Sequence, residues 1–270
     1  MFGNTLSGAI LIHKGAKVSV RRVKRETEGL LAAIRREATV RGFDLVGVVD
    51  AADYDAAAPP GHRIGDVWAG ACAAIVIGNA GPRFWDRFRG EQKGRLDRVE
   101  GEDPLDAFTV RETAPLRALI TEGGFTERTV YPFFGATDHA LSFRELGIAA
   151  GFGVRSVLGL VLSPVYGPWI ASRAAVLTDA PLAPTGRQAR FDPCTTCPAP
   201  CIDVCPGDAF PGRQWSAQAC LTAKSRLEPC RTRCLSRIHC VYGSDYRYTP
   251  EETAYHDTYP APAKPAKKDR

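Results

Sequence analysis

The chain has 270 residues, 44% of them hydrophobic and 24% charged, with a net charge of +5. That balance excludes a disordered or fibrous protein and fits one large globular unit, or a medium one with a small one attached. No apolar run reaches the roughly 18–20 residues that cross a bilayer, so the sequence reads as a cytoplasmic protein with no membrane partner.

The stretch from Met1 to Arg25 carries Lys14, Lys17, Arg21, Arg22, Lys24 and Arg25 before the first acid, Glu26. It lacks the apolar core and cleavage site of a secretory signal and is expected to be a disordered basic extension over 1–25. Leu30, Leu31, Ile34 and Ala38 recur at helical spacing, and Gly42 stops that helix. The apolar, β-branched run Phe43–Asp50 reads as a strand, as does Cys72–Gly78, with Pro59, Pro60 and Gly61 breaking the chain between them. Residues 82–106 are polar and rich in glycine, an expected exposed loop or flap. Helices follow at Thr109–Gly123 and Phe143–Gly151. A strand is expected at Val157–Leu162, a turn at Ser163–Gly167, and a strand at Ile170–Thr178 whose Arg173 faces outward or toward a site. Alternating helices and strands over 26–180 predict an α/β layered domain for a cofactor. Three prolines over 181–193 predict a linker, 194–247 a small cysteine-rich module, and 248–270 a polar tail with a disordered end.

Nine cysteines are many for a chain without an export signal, and eight lie between Cys194 and Cys240. Secreted disulfide scaffolds spread their cysteines, whereas a dense cluster in a reducing compartment points to metal. The first run is Cys194-x2-Cys197-x3-Cys201-x3-Cys205-Pro206. Two-cluster ferredoxins use C-x2-C-x2-C-x3-C-P, in which the fourth cysteine of a run ligates the other cluster. Here one extra residue separates the second and third cysteines, and Pro198 and Pro200 shape that loop. If the crossing rule holds, one [4Fe–4S] cluster takes Cys194, Cys197, Cys201 and Cys240, and a second takes Cys205, Cys220, Cys230 and Cys234. Structural zinc is the competitor, although only Cys194 and Cys197 form a zinc-type knuckle. Isolated Cys72 reads as a packed core thiol, His239 as a group behind a cluster ligand or facing solvent, and His256 as a helix-surface residue.

The segments GFDLVGVVD (Gly42–Asp50), AGACAAIVIG (Ala69–Gly78), Ala149–Leu182 and the cysteine runs resemble the catalytic core of the epoxyqueuosine reductase family. These are iron–sulfur enzymes that use cobalamin and are related to reductive dehalogenases. The resemblance implies an α+β chain, with a layered domain similar to nitroreductases and cobalamin-processing proteins ahead of a ferredoxin-like module with two [4Fe–4S] clusters. It supports the crossed set. It also implies electrons passing from a donor such as a flavodoxin or ferredoxin, through the clusters, to cobalamin (flavin is the alternative) and then to a nucleoside or other small-molecule substrate. Transfer RNA as that substrate is weakened, because the family's C-terminal helical-repeat segment is absent. Gly151, Gly153, Ser163, Tyr166 and Gly167 would line the cofactor pocket, with Arg155 standing in for the family's lysine; the alternative is that these are cap and turn residues. Asp138 is the first choice for a proton donor and Tyr131 the second. A rival class is an electron carrier whose first domain only docks a partner; a cobalamin-trafficking protein is a further one.

Overall fold

The computed structural model describes residues 10–13, 16–93, 96, 103–133 and 141–257. A hairpin of β1 (Ile10–His13) and β2 (Ala16–Ser19) leads directly into α1 (Val20–Val40). The expected disordered extension is therefore folded from residue 10, apart from residues 14 and 15, which lie outside the described residues, as do residues 1–9. The basic stretch continues the helix because its charges pair one turn on, Arg22 with Glu26 at 2.8 Å and Lys24 with Glu28 at 3.9 Å.

Next come β3 (Leu45–Asp50), the short helices α2 (Ala51–Ala57) and α3 (Ile64–Val67), and β4 (Ala73–Ala80). Then follow α4 (Arg83–Gln92), α5 (Pro104–Glu122), β5 (Glu127–Val130), α6 (Phe143–Ala149), the strand pair β6 (Val154–Arg155) and β7 (Val161–Leu162), and β8 (Ile170–Thr178). The main sheet runs β3-β4-β8-β5 and is antiparallel throughout. Its inner strands alternate between two cores. Ile75, Ile77, Ala174 and Val176 join the residues of α1, α4 and α5, while Ala74, Val76, Ala175 and Leu177 face the side of α2 and α6. Period-2 burial on both faces explains why β4 is buried at every position.

Three expectations need correction. Residues 83–92 are not an exposed loop, because Phe84, Trp85 and Phe88 bury one helical face; Phe84 packs on Phe43 and Phe108 with ring centroids 4.9 and 5.1 Å away. Only Val161 and Leu162 of the Val157–Leu162 run are strand, since Ser156 Oγ and N both bond Leu160 O and Gly159, at φ +73°, closes a turn. Cys72 is exposed, one residue ahead of β4, and is not a core thiol.

The segment 181–193, expected to be a linker, lies against the edge of β3. Val48 N donates to Thr185 Oγ1 and Thr185 N donates to Val48 O, both at 2.9 Å. Beyond it stand α7 (Pro200–Asp203), α8 (Ala217–Arg226), α9 (Glu228–Thr232) and α10 (Leu235–Ile238). The expected polar tail contains α11 (Pro250–Asp257), whose Tyr255 enters the first core between Trp85 and Phe88 at 5.3 and 5.6 Å. Residues 258–270 lie outside the described residues.

Two glycines hold the cysteine-rich module against the sheet region. A Cβ on Gly167 would sit 2.2 Å from Tyr242 O, and one on Gly243 would sit 2.3 Å from the Tyr166 carbonyl. Both have positive φ, and only glycine lets the two backbones approach this closely. Arg237 adds a fastening. Its guanidinium donates to Pro168 O at 3.1 and 2.8 Å and lies 4.8 Å from the Trp169 ring and 4.5 Å from that of Tyr248.

Candidate metal centres

Nine cysteines carry free thiols, eight of them within the module. The single-residue excess in the first run is absorbed at Ala199, which takes left-handed φ and ψ of 57° and 53° between two prolines. That turn aims Ala199 N at Cys197 Sγ, 3.4 Å away, so the backbone curls around the sulfur. Cys201 then falls in α7 and is buried. The remaining thiols are carried by helices: Cys220 by α8, capped by the Ser216 side chain on Ala219 N at 3.2 Å, Cys230 by α9, and Cys234 at the start of α10.

The thiols divide into two groups in space. Cys194, Cys197, Cys201 and Cys240 surround a small cavity of about 20 Å³ whose other walls are mostly apolar, including Val157, Leu162 and Tyr242. Cys205, Cys220, Cys230 and Cys234 line a separate cavity of about 410 Å³. The electrostatics follow the same partition. Burial, then the sulfurs of Cys240, Cys194 and Cys197, push the Cys201 thiol up to about 11. Cys240 is raised by burial and by Cys194 and Cys197. Cys230 is raised by burial and by Cys205 and Cys220, with Lys224 opposing. Cys205 thus sits with the later cysteines and Cys240 with the earlier ones. Among the described residues no three His, Cys, Asp or Glu side chains stand close enough to grip a single metal ion.

Behind the second set, Cys234 N donates to Asp257 Oδ2 at 2.9 Å, so the last residue of α11 fixes the start of α10. His239 is exposed, with Nδ1 2.9 Å from Leu235 O. His256 is not a surface residue; it stacks near Trp85, Tyr248 and Tyr255 and lines the large cavity. Neither Asp257 nor His256 was among the expected site residues, and the only signal for them was the helix-compatible EETAYHD beyond the last cysteine.

The residues expected around a cofactor are placed differently. Gly151 and Gly153 are taken up by close backbone packing, since a Cβ on the first would meet Gly186 O at 2.6 Å and on the second Leu162 O at 2.1 Å. Arg155 is exposed and pairs with Glu145 at 2.6 Å. Ser163 Oγ accepts from Val165 N and Tyr166 N at 3.3 Å, and Tyr166 packs edge-on against Tyr246 at 4.7 Å. Tyr131 is a core residue whose hydroxyl shares a 2.8 Å hydrogen bond with Thr113, and its ring stacks on Phe133. Asp138 lies outside the described residues. Among the described residues no helix is long and apolar enough to cross a membrane.

No protein-family model and no curated protein matches the chain. Solved structures do. An epoxyqueuosine reductase, in complex with an epoxyqueuosine-modified tRNA-Tyr stem loop, is 15% identical at a TM-score of 0.58, over 84% of this chain and 69% of that one. The chain has the epoxyqueuosine reductase fold. A C. elegans B12-trafficking protein is 15% identical at a TM-score of 0.51, over 88% of this chain and 93% of that one. A reductive dehalogenase of B12-dependent mechanism is 19% identical at 0.50, over 82% of this chain and 34% of that one.

Proposed function

We propose that this chain is an iron–sulfur oxidoreductase, in which Cys194, Cys197, Cys201 and Cys240 hold one [4Fe–4S] cluster and Cys205, Cys220, Cys230 and Cys234 hold another. The observation that carries the reading is the exchange of Cys205 and Cys240 between the two runs, which is the wiring of a two-cluster ferredoxin. Thiols raised by burial and by one another bind iron as thiolates, so loading displaces protons. The clusters supply one-electron transfer when present. The chain's own part is to exclude water from the first set, hold the second set on α8 to α10, and join both to the sheet through Gly167, Gly243 and Arg237.

A cobalamin-related role is supported by the fold alone. The residues nominated for a corrin, Gly151, Gly153, Ser163 and Gly167, make close packing contacts and hydrogen bonds within the chain, which weighs against that nomination. Those contacts favour a second reading, an electron carrier whose sheet region docks a partner. Transfer RNA stays a substrate class to test, and Asp138 the nominated proton donor. Anaerobic reconstitution decides the main reading. The expected result is brown protein with about eight irons and eight sulfides per chain; colourless protein holding zinc would sink it. Hydroxocobalamin offered to the reconstituted protein then separates the two readings: a shifted corrinoid spectrum supports the reductase, and an unshifted one supports the carrier. A flavodoxin or ferredoxin is the class of electron donor to use.

A further inference from the structure

The two thiol sets have the same composition but line very different spaces. The first closes on about 20 Å³, whereas the second forms one wall of a cavity of about 410 Å³. Four thiols account for a small part of that wall. The rest includes the rings of Phe210, Trp215 and Tyr248, the start of β8 at Ala171, and Arg173.

Arg173 stands out chemically. The pairing of β4 with β8 slips between Ile77 and Gly78, which oppose Ala174 and Ser172, so Arg173 is the extra residue of a β-bulge. Bulges re-aim a side chain, here one from the interior of a central strand. Its Nε donates to Asn79 Oδ1 at 2.6 Å, and its guanidinium lies 5.2 Å from the Phe84 ring. Among the described residues no carboxylate stands at ion-pair distance from it; burial works against its charge, and Glu252, Asp106 and Asp103 act on that charge from farther off. Asn79, itself fully buried, leaves Nδ2 without a hydrogen-bond partner beside it. A half-buried guanidinium with no carboxylate in contact presents a fork shaped for an oxyanion.

We propose that this cavity binds a small organic oxyanion, a carboxylate or phosphate ester on a flat apolar body, with the anionic end on Arg173 and the flat body against the aromatic walls. The site adjoins the second thiol set, so this inference rests on the two-cluster reading for its electrons but not for its binding. A cluster on the four thiols would take part of this space, and what remains beside Arg173 and the aromatic walls suits a small ligand rather than a macrocycle.

The test uses the full chain after anaerobic reconstitution, with iron and sulfide counted first. Benzoate, phenyl phosphate and the neutral benzamide are titrated in turn, followed by tryptophan fluorescence, since Trp215 is in the wall, and by the EPR spectrum of the reduced protein. Saturable binding of benzoate or phenyl phosphate, with none for benzamide, is expected. Which of the two binds tells a carboxylate ligand from a phosphate one. Arg173→Gln should weaken that binding about 10- to 100-fold, and Arg173→Lys, which keeps the charge but loses the fork, should fall between. Ala171→Leu narrows the cavity without touching the charge and should weaken it too, which keeps the idea testable if the Arg173 variants do not fold. Arg89→Gln on the exposed face should bind as the parent does. Failure of both anions to saturate, equal binding of benzamide, or parental affinity in Arg173→Gln or Ala171→Leu would overturn the proposal. Clusters that load without anion binding defeat this inference alone; anion binding without clusters defeats the cluster reading alone.

Discussion

Glu112 shows how much one carboxylate can organise. It lies on α5 with a side chain only 4% exposed, and it accepts from Arg41 at 3.2 Å, Arg87 at 3.0 Å and Arg111 at 3.1 Å. Burial alone would raise its pKa; the bonds from Arg87 and Arg111 and the Arg41 charge outweigh that and hold it below the usual range. A depressed carboxylate contributes stability at neutral pH that is lost as the pH falls through its folded pKa. Glu112→Gln should therefore cost about 2 kcal/mol at pH 7, at the low end for a broken buried pair because its guanidinia are partly exposed, and should flatten acid unfolding measured by urea titration. Glu252 on α11 behaves oppositely. Burial pushes its carboxyl up to about 7, against the charges of Arg173 and Arg237. Its folded pKa exceeds its unfolded one, so its contribution is complete below about pH 4.5 and falls as the pH rises toward and through 7. Glu252→Gln should be the more stable protein at pH 8, by on the order of 2–3 kcal/mol, and a gain that failed to grow between pH 5 and 8 would refute the assignment.

At the scale of elements, α11 links two parts that the sequence presents as separate. Tyr255 fills the first core between α4 and the start of α5, and Asp257 caps the backbone of Cys234. Tyr255→Ala should lower stability by about 3–5 kcal/mol, as large aromatic deletions do, and should also lower iron retention by the second thiol set more than by the first. Chemical unfolding and iron analysis of the same sample would measure both. Strands β3, β4 and β8 were legible because a β-branched run buried on both faces has one plausible use. Helix α4 was not, because glycine and charge around it dilute the signal of Phe84, Trp85 and Phe88, three rings that matter only once Phe43, Phe108 of α5 and Tyr255 of α11 supply their partners. The cysteines were legible as a set and, by the crossing rule, as two candidate groups. The role of the glycines nominated for a corrin was not legible, for a local reason. A glycine required by a ligand and one required by neighbouring backbone look alike until the neighbour is placed, and for Gly151 and Gly153 the neighbours are Gly186 and Leu162. The Arg173 bulge had no sequence signal, since it depends on the register of two strands nearly a hundred residues apart.

The whole molecule joins two thiol sets of unlike surroundings, and that contrast bears on the direction of electron flow. Pairs of substitutions first test the grouping. Cys194→Ser with Cys240→Ser should leave about four irons, whereas Cys194→Ser with Cys205→Ser should leave almost none; uncrossed wiring gives the reverse. The first set is walled mainly by apolar side chains, and the charge that acts on its Cys240 is that of Arg247, outside the wall. The second is faced by Arg173, Lys224, Arg233 and Arg237, against Asp257. An added electron is stabilised by nearby positive charge and destabilised in an apolar, desolvated site. The second cluster should therefore have the higher potential, so that electrons entering at the first run down toward the sheet and the Arg173 cavity. Lys224 lies near enough to act on the Cys230 thiol, and Lys224→Gln should lower the higher of two reduction waves by on the order of 50 mV while leaving the lower one in place. An anaerobic redox titration followed by EPR measures both. A single wave, or a shift confined to the lower one, would mean that the charge around the second set does not direct the flow.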